Sequence, residues 1–229
     1  MRSARQARQA RPIARFWLLS AACTMLVWAT ALAAPAAAAA AAALPRSGGS
    51  CPIRSIGAVA GDAQGQPLVC TKTSKTKAQW KLPALGSFLR PIPLGQPSAA
   101  GPAANRFNVR VTLVNFDAAA EIAAAEAYAT PPPPGAQDVR VEVEATFLGP
   151  AATGVTGHYW YARDADGVMY ASSSGCSGGY GTSFDVAAVV SIGGVVKGTH
   201  CFEVPSAGVA ALRLRVEGSD RSDTYFALR

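Results

Sequence analysis

Val139-Arg140-Val141-Glu142-Val143-Glu144-Ala145-Thr146-Phe147 alternates apolar and polar side chains without a break. In an extended chain successive side chains point to opposite sides, so Val139, Val141, Val143, Ala145 and Phe147 share one face while Arg140, Glu142, Glu144 and Thr146 share the other. A strand of this kind belongs in an antiparallel sheet with one face on a core and the other in water. Upstream, Phe107 to Leu113 repeats the pattern, with Phe107, Val109, Val111 and Leu113 on the apolar side. Between the two, Asp117 to Thr130 is rich in Ala and Glu and predicts a short helix with Asp117 as its N-cap, stopped by Pro131-Pro132-Pro133-Pro134-Gly135. Downstream, strands are expected at His158–Ala162, Gly167–Ala171, Phe184–Val190, Val195–Val204, Leu212–Val216 and Tyr225–Leu228, with turn residues between them. Many short strands and little helix over residues 105–229 indicate an all-β domain, an antiparallel β-sandwich.

Toward the N-terminus the composition changes twice. Residues 91–104, with Pro91, Pro93, Pro97, Gly101 and Pro102, read as a linker. Residues 44–90 read as a small disulfide module: runs at Ser55–Ala60 and Pro67–Thr73 flank the turn Gly61-Asp62-Ala63-Gln64-Gly65, and Gln79–Leu82 supplies a third short strand. A unit this small buries little core, so a covalent staple matters more in it than in the larger part. Of five cysteines, Cys23 lies in the N-terminal segment and four stand beyond it at 51, 70, 176 and 201. Their spacing favours local pairing, Cys51 with Cys70 and Cys176 with Cys201, each closing a loop worth about 3 kcal/mol in the chain-entropy model. No C-x-x-C pair is present, so the expectation is disulfides, with no metal and no cofactor.

Two stretches carry a resemblance. The succession Asp164-Ala165-Asp166-Gly167-Val168-Met169-Tyr170, then Gly193-Gly194-Val195-Val196-Lys197-Gly198-Thr199-His200-Cys201-Phe202-Glu203-Val204-Pro205, then Leu212-Arg213-Leu214-Arg215-Val216 resembles a family of secreted, immunoglobulin-like (telokin-like) β-sandwich domains of uncharacterised bacterial extracellular proteins and lipoproteins. The resemblance spans roughly residues 105–228 and implies an immunoglobulin-like sandwich, with no catalytic residues to carry over. The chain departs from that family in the Ala-rich insert after Asp117 and at Leu148-Gly149. Cys51, Gly57, Gly61, Leu68, Cys70 and Trp80 resemble a small cysteine module found near the start of many secreted, especially actinobacterial, proteins.

Residues 1–43 read as a secretory signal peptide and Ala-rich cleavage region: Arg2, Arg5, Arg8, Arg11 and Arg15 with no acid, an apolar run from Phe16 to Leu32, then small residues. Rival readings are a lipidated Cys23 and an uncleaved anchor. A secreted or envelope-associated location follows, with at most peripheral membrane contact after cleavage. The whole chain carries a formal +7. Most of that belongs to the signal region, so the excess is no nucleic-acid signature and no nucleic-acid partner is expected. The rest is polarised: residues 51–104 hold six basic groups against Asp62 alone, whereas residues 105–229 hold nine basic and thirteen acidic ones.

Candidate sites are few. His158 and His200 each fall in an expected strand without a nucleophile motif, and the expected catalytic set is empty. Asp164-Ala165-Asp166-Gly167 lacks the further ligands of a calcium loop and reads as a hairpin turn. Trp160 is expected in the core with Tyr159 and Tyr161 outward, where they offer a stacking surface. Lys72, Lys75, Lys77 and Lys81 cluster without acids and offer an electrostatic contact. The functional expectation is a non-enzymatic binding protein whose partner is an anionic cell-envelope polymer or another extracellular protein. The alternative is an extracellular enzyme or enzyme inhibitor with a loop-built site.

Overall fold

The computed structural model describes residues 43–125, 129–150, 158–172 and 190–229. The expected signal segment, Cys176 with its Gly-rich turn, and the expected strand from Phe184 up to residue 189 lie outside those residues. Residues 43–229 belong to one compact unit, and the described fold is all-β with antiparallel sheets. No helix among the described residues is long and apolar enough to cross a membrane.

The first sheet has four short strands, β1 (Ser50–Cys51), β2 (Val59–Gly61), β3 (Pro67–Lys72) and β4 (Ala78–Lys81), in the order β1-β4-β3-β2. Cys51 and Cys70 are disulfide-bonded as the spacing predicts, and with Ala78 they form a small cluster against which Trp80 packs. The expected strand at Ser55–Ala60 shrinks to Val59–Gly61. Residues Ile53–Ser55 wind into a 3-10 turn instead, with the Ser55 N–H donating to the Pro52 carbonyl and Gly57 reversing the chain at φ +87°. Leu82 falls outside β4, where Pro83 has no N–H to extend the ladder.

Residues 91–104 do not form an open linker. Between Pro91 and Pro93 sits Ile92, 3% exposed, whose N–H donates to the Tyr225 carbonyl and whose carbonyl accepts from the Ala227 N–H. Farther on, residues 98–100 form β5 (Ser98–Ala100), paired with β6 (Phe107–Asn115). The physical reason is edge protection: a sheet edge left bare has unpaired N–H and C=O groups, and this strap caps an edge on each of two sheets.

Those two sheets build the main core. One has the order β10 (Val195–Pro205), β7 (Ala136–Phe147), β6, β5; the other has β12 (Asp223–Ala227), β11 (Arg213–Gly218), β8 (His158–Arg163), β9 (Met169–Ala171). Their inner residues, among them Phe107, Val141, Phe147, Phe202 from the first sheet and Trp160, Leu214, Val216, Phe226 from the second, form one continuous buried cluster. The register of β6 shifts between Val111 and Leu113. Thr112 is the extra residue, so Leu113 turns outward at 42% exposure while Val114 takes the inward place. Strict alternation up to Leu113 therefore fails at its last residue. Helix α1 (Ala119–Ala125) lies over the outer face of β7 and β10, where Ala118 and Ile122 bury Cys201. Its first hydrogen bond runs from the Ile122 N–H to the Ala118 carbonyl, so Asp117 is not the cap; the Asp117 N–H is held by the Asn115 side chain. Ala129 and Thr130, expected inside the helix, lie beyond its end.

Candidate functional site

The lysine group divides. Antiparallel pairing puts Lys72 opposite Ala78 and Lys81 opposite Val69. Lys72, Lys75 and Lys77 therefore gather at the β3–β4 turn, closed by bonds from the Thr73 and Ser74 N–H groups to the Lys77 carbonyl. Lys81 stands at the other end of β4, about 10 Å along the strand from Ala78 at ~3.4 Å per residue, and on the opposite face of the sheet from Lys72. All four are exposed, and none of the ion pairs among the described residues engages them. The module's acid, Asp62, sits in the turn at the far end of β3, where its carboxylate accepts from the Gln64 and Gln66 N–H groups. One end of this small sheet is thus wholly cationic.

The outer face of the second core sheet carries the tyrosines. Trp160 is buried, Tyr159 is 55% exposed and Tyr161 is half-buried, as the alternation predicts. Pairing sets Arg215 against Tyr161 and Glu217 against Tyr159. The Arg215 guanidinium lies 5.6 Å from the Tyr161 ring centre and ion-pairs with Glu217 and Asp223. Arg163 stacks on Phe88, which precedes the strap, at 4.7 Å and donates to the Tyr225 hydroxyl. Sequence reading named the tyrosines and missed the arginines between them. For Arg215 the signal was present in Leu212-Arg213-Leu214-Arg215-Val216, whose alternation sends Arg213 and Arg215 to the wet face, and Arg163 continues the alternation of Tyr159 and Tyr161.

His158 and His200 line one cleft of about 210 Å³ with Trp160 and Ser172. His200 is stacked on Trp160 at 4.7 Å, 4% exposed. His158 sits edge-on to Phe107 in a slot closed by Gly101, where a Cβ would come 2.1 Å from its Nε2. Neither ring nitrogen of His158 meets hydrogen-bond geometry with a partner among the described residues. Burial pulls this imidazole below the usual histidine range, against smaller opposing pulls from the Ala100 carbonyl and Asp220. Packing thus disfavours its charged form, and no hydrogen bond among the described residues joins it to Ser172. On the other sheet a cleft of about 210 Å³ lies beside the bulge, lined by Thr112, Arg140, Glu142, Lys197 and Thr199. Its charges are already paired, Arg140 with Glu121 and Glu142, and Glu144 with Arg110 and Lys197.

Asp164 forms a hairpin turn: one carboxylate oxygen accepts from the Val168 N–H, the other from the Tyr170 hydroxyl at 2.7 Å, and Gly167 turns at φ +89°. The Tyr170 bond holds the Asp164 carboxyl below its usual range and pushes the phenol up to about 12. Among the described residues no group of three or more His, Cys, Asp or Glu side chains is placed to hold a metal ion. Cys201 is disulfide-bonded, and its expected partner Cys176 lies outside the described residues.

No protein-family model matches the chain, and no curated protein does. Among solved structures it is similar to a conserved hypothetical protein from Bacillus anthracis, at 12% identity and a TM-score of 0.37, over 58% of this chain and 98% of that one. It is also similar to the yjhA protein from Bacillus subtilis, at 14% identity and a TM-score of 0.39, over 60% of this chain and 99% of that one.

Proposed function

We propose that the chain is a secreted or envelope-associated, non-enzymatic binding protein: an immunoglobulin-like sandwich that carries a small disulfide module, attached through that module to an anionic envelope surface. Support for the sandwich comes from strand order. One sheet runs β6-β7-β10 and its partner β9-β8-β11-β12, the arrangement of strands A-B-E and C′-C-F-G in immunoglobulin domains, with β5 added at the edge. The attachment reading rests on one observation, the gathering of Lys72, Lys75 and Lys77 at an end of the module that holds no acid. Exposed charges act over about 8 Å at physiological salt, so this attachment is weak and salt-sensitive. Changing Lys72, Lys75 and Lys77 together to Gln is expected to abolish adsorption to purified anionic wall polymer at low ionic strength, whereas Lys81→Gln alone leaves most of it. Equal binding by the triple variant and the parent, or binding unchanged in high salt, overturns the reading and moves attention to Tyr159 and Tyr161.

The second reading, an extracellular enzyme or enzyme inhibitor, draws on the two imidazoles that share a cleft. Turnover of an ester, peptide or glycoside by the purified protein, lost on His158→Ala with the fold intact, would displace the binding reading.

A further inference from the structure

The cationic end of the module also carries bare aliphatic surface. Cys51 pairs with Ala78, so the chain leaving β1 runs on toward the β3–β4 turn and folds there into the Ile53–Ser55 3-10 turn. The Gly57 N–H donates to the Cys70 carbonyl and the Cys70 N–H to the Ala58 carbonyl, so Gly57 and Ala58 both face Cys70 and the turn before them starts from the Cys70–Lys72 end of β3. Ile53 and Ile56 are 45% and 44% exposed. Single exposed apolar side chains need no explanation. Here two sit on one turn with Arg54 between them, at the same end of the small sheet as Lys72, Lys75 and Lys77, while Asp62 occupies the opposite end of β3.

We propose that this tip docks on an anionic lipid bilayer, with Ile53 and Ile56 entering the boundary between headgroups and acyl chains and Arg54, Lys72, Lys75 and Lys77 on the lipid phosphates. The inference rests on the electrostatic attachment proposed above and adds the isoleucines to it. An anionic polymer would satisfy the four cations and leave both isoleucines in water. A bilayer boundary takes up both kinds of group, and marginal anchors of this type combine a little apolar insertion with a basic patch. The Cys51–Cys70 disulfide closes the base of the turn, so little ordering entropy is lost on docking.

The test uses residues 43–229 and three probes: vesicles of phosphatidylglycerol with phosphatidylcholine, vesicles of phosphatidylcholine alone, and soluble polyphosphate. The parent is expected to co-sediment with the anionic vesicles far more than with the neutral ones. Ile53→Ser with Ile56→Ser should lower that partition by roughly tenfold, as expected for two half-buried aliphatic side chains, and leave polyphosphate binding unchanged; Ile53→Leu with Ile56→Leu should restore it. Thermal unfolding of each variant separates lost docking from lost fold. Vesicle binding by the serine variant equal to the parent overturns the insertion and leaves the electrostatic reading standing. Parent binding to polyphosphate without binding to vesicles makes the partner a polymer. A Lys72/Lys75/Lys77→Gln variant that binds both anionic probes like the parent overturns both readings.

Discussion

The disulfide module and the two-sheet body solve one problem with different means. In the body, Val109, Val141, Phe147, Phe202, Leu214 and Phe226 are essentially inaccessible and belong to one cluster that spans both sheets. The module buries Leu68 and a small cluster of Cys51, Cys70 and Ala78 against which Trp80 packs. Hydrophobic burial scales with area, so the body can be held by its core, while the module needs its cross-link and the pairing of β3 with β4. The contrast also separates roles. The four lysines of the module enter none of the ion pairs among the described residues, whereas on the body Arg110, Arg140, Lys197 and Arg215 each pair with a carboxylate.

The largest expected effect breaks the comparison on the side of the body. Phe202→Ala removes an aromatic side chain with no exposed surface from the centre of the shared cluster, and should cost about 3–5 kcal/mol in urea unfolding. If the module protons lose protection at the same urea concentration as the body, the Gly86–Ile92 stretch along β12 couples the two regions into one cooperative unit.

On the side of the module, Cys51→Ala with Cys70→Ala opens a loop whose ends are 19 residues apart, which the chain-entropy account puts at about 3 kcal/mol. Amide exchange should rise across Ser50–Lys81 and stay slow in β7. Equal loss of protection in both regions would show that the body depends on the cross-link as much as the module does.

What the sequence made legible follows the same division. Period-two alternation at Val139–Phe147 and His158–Ala162 placed the core strands because each has one wet face, and the pairing Cys51–Cys70 was readable from spacing. The strap was not readable. Proline-rich composition looks the same in a linker and in a chain lying along a sheet edge, and only the hydrogen bonds of Ile92 with Tyr225 and Ala227 tell them apart. Leu113 was misplaced because a single inserted residue flips the face of everything after it. At the candidate tip the lysines were visible as a charge run, but the division of Lys81 from the others and the approach of Ile53 and Ile56 depend on register, which no local pattern encodes.

The smallest expected effect compares two turns of one design. Asp62-Ala63-Gln64-Gly65 in the module and Asp164-Ala165-Asp166-Gly167 in the body both place an Asp carboxylate on nearby backbone N–H groups and end on a Gly with positive φ. Asp164 is buried and also accepts from the Tyr170 hydroxyl, whereas among the described residues the Asp62 carboxylate accepts from the backbone of its own turn. Tyr170→Phe should therefore cost about 1 kcal/mol near neutral pH, the net worth of one hydrogen bond. The sign with pH follows from both partners. The Asp164 carboxyl lies below its unfolded value, so its contribution is present above about pH 4 and is lost as the pH falls through the folded value; the Tyr170 phenol lies above its unfolded value, so its contribution is present below about pH 10 and fades as the pH rises toward about 12. The difference in stability between parent and Tyr170→Phe should accordingly be a plateau across neutral pH that closes at both ends, measured by urea unfolding over a pH series. A difference that stays constant into acid would mean that the hydroxyl contributes by packing, and the buried turn would then be no different in kind from the exposed one at Asp62.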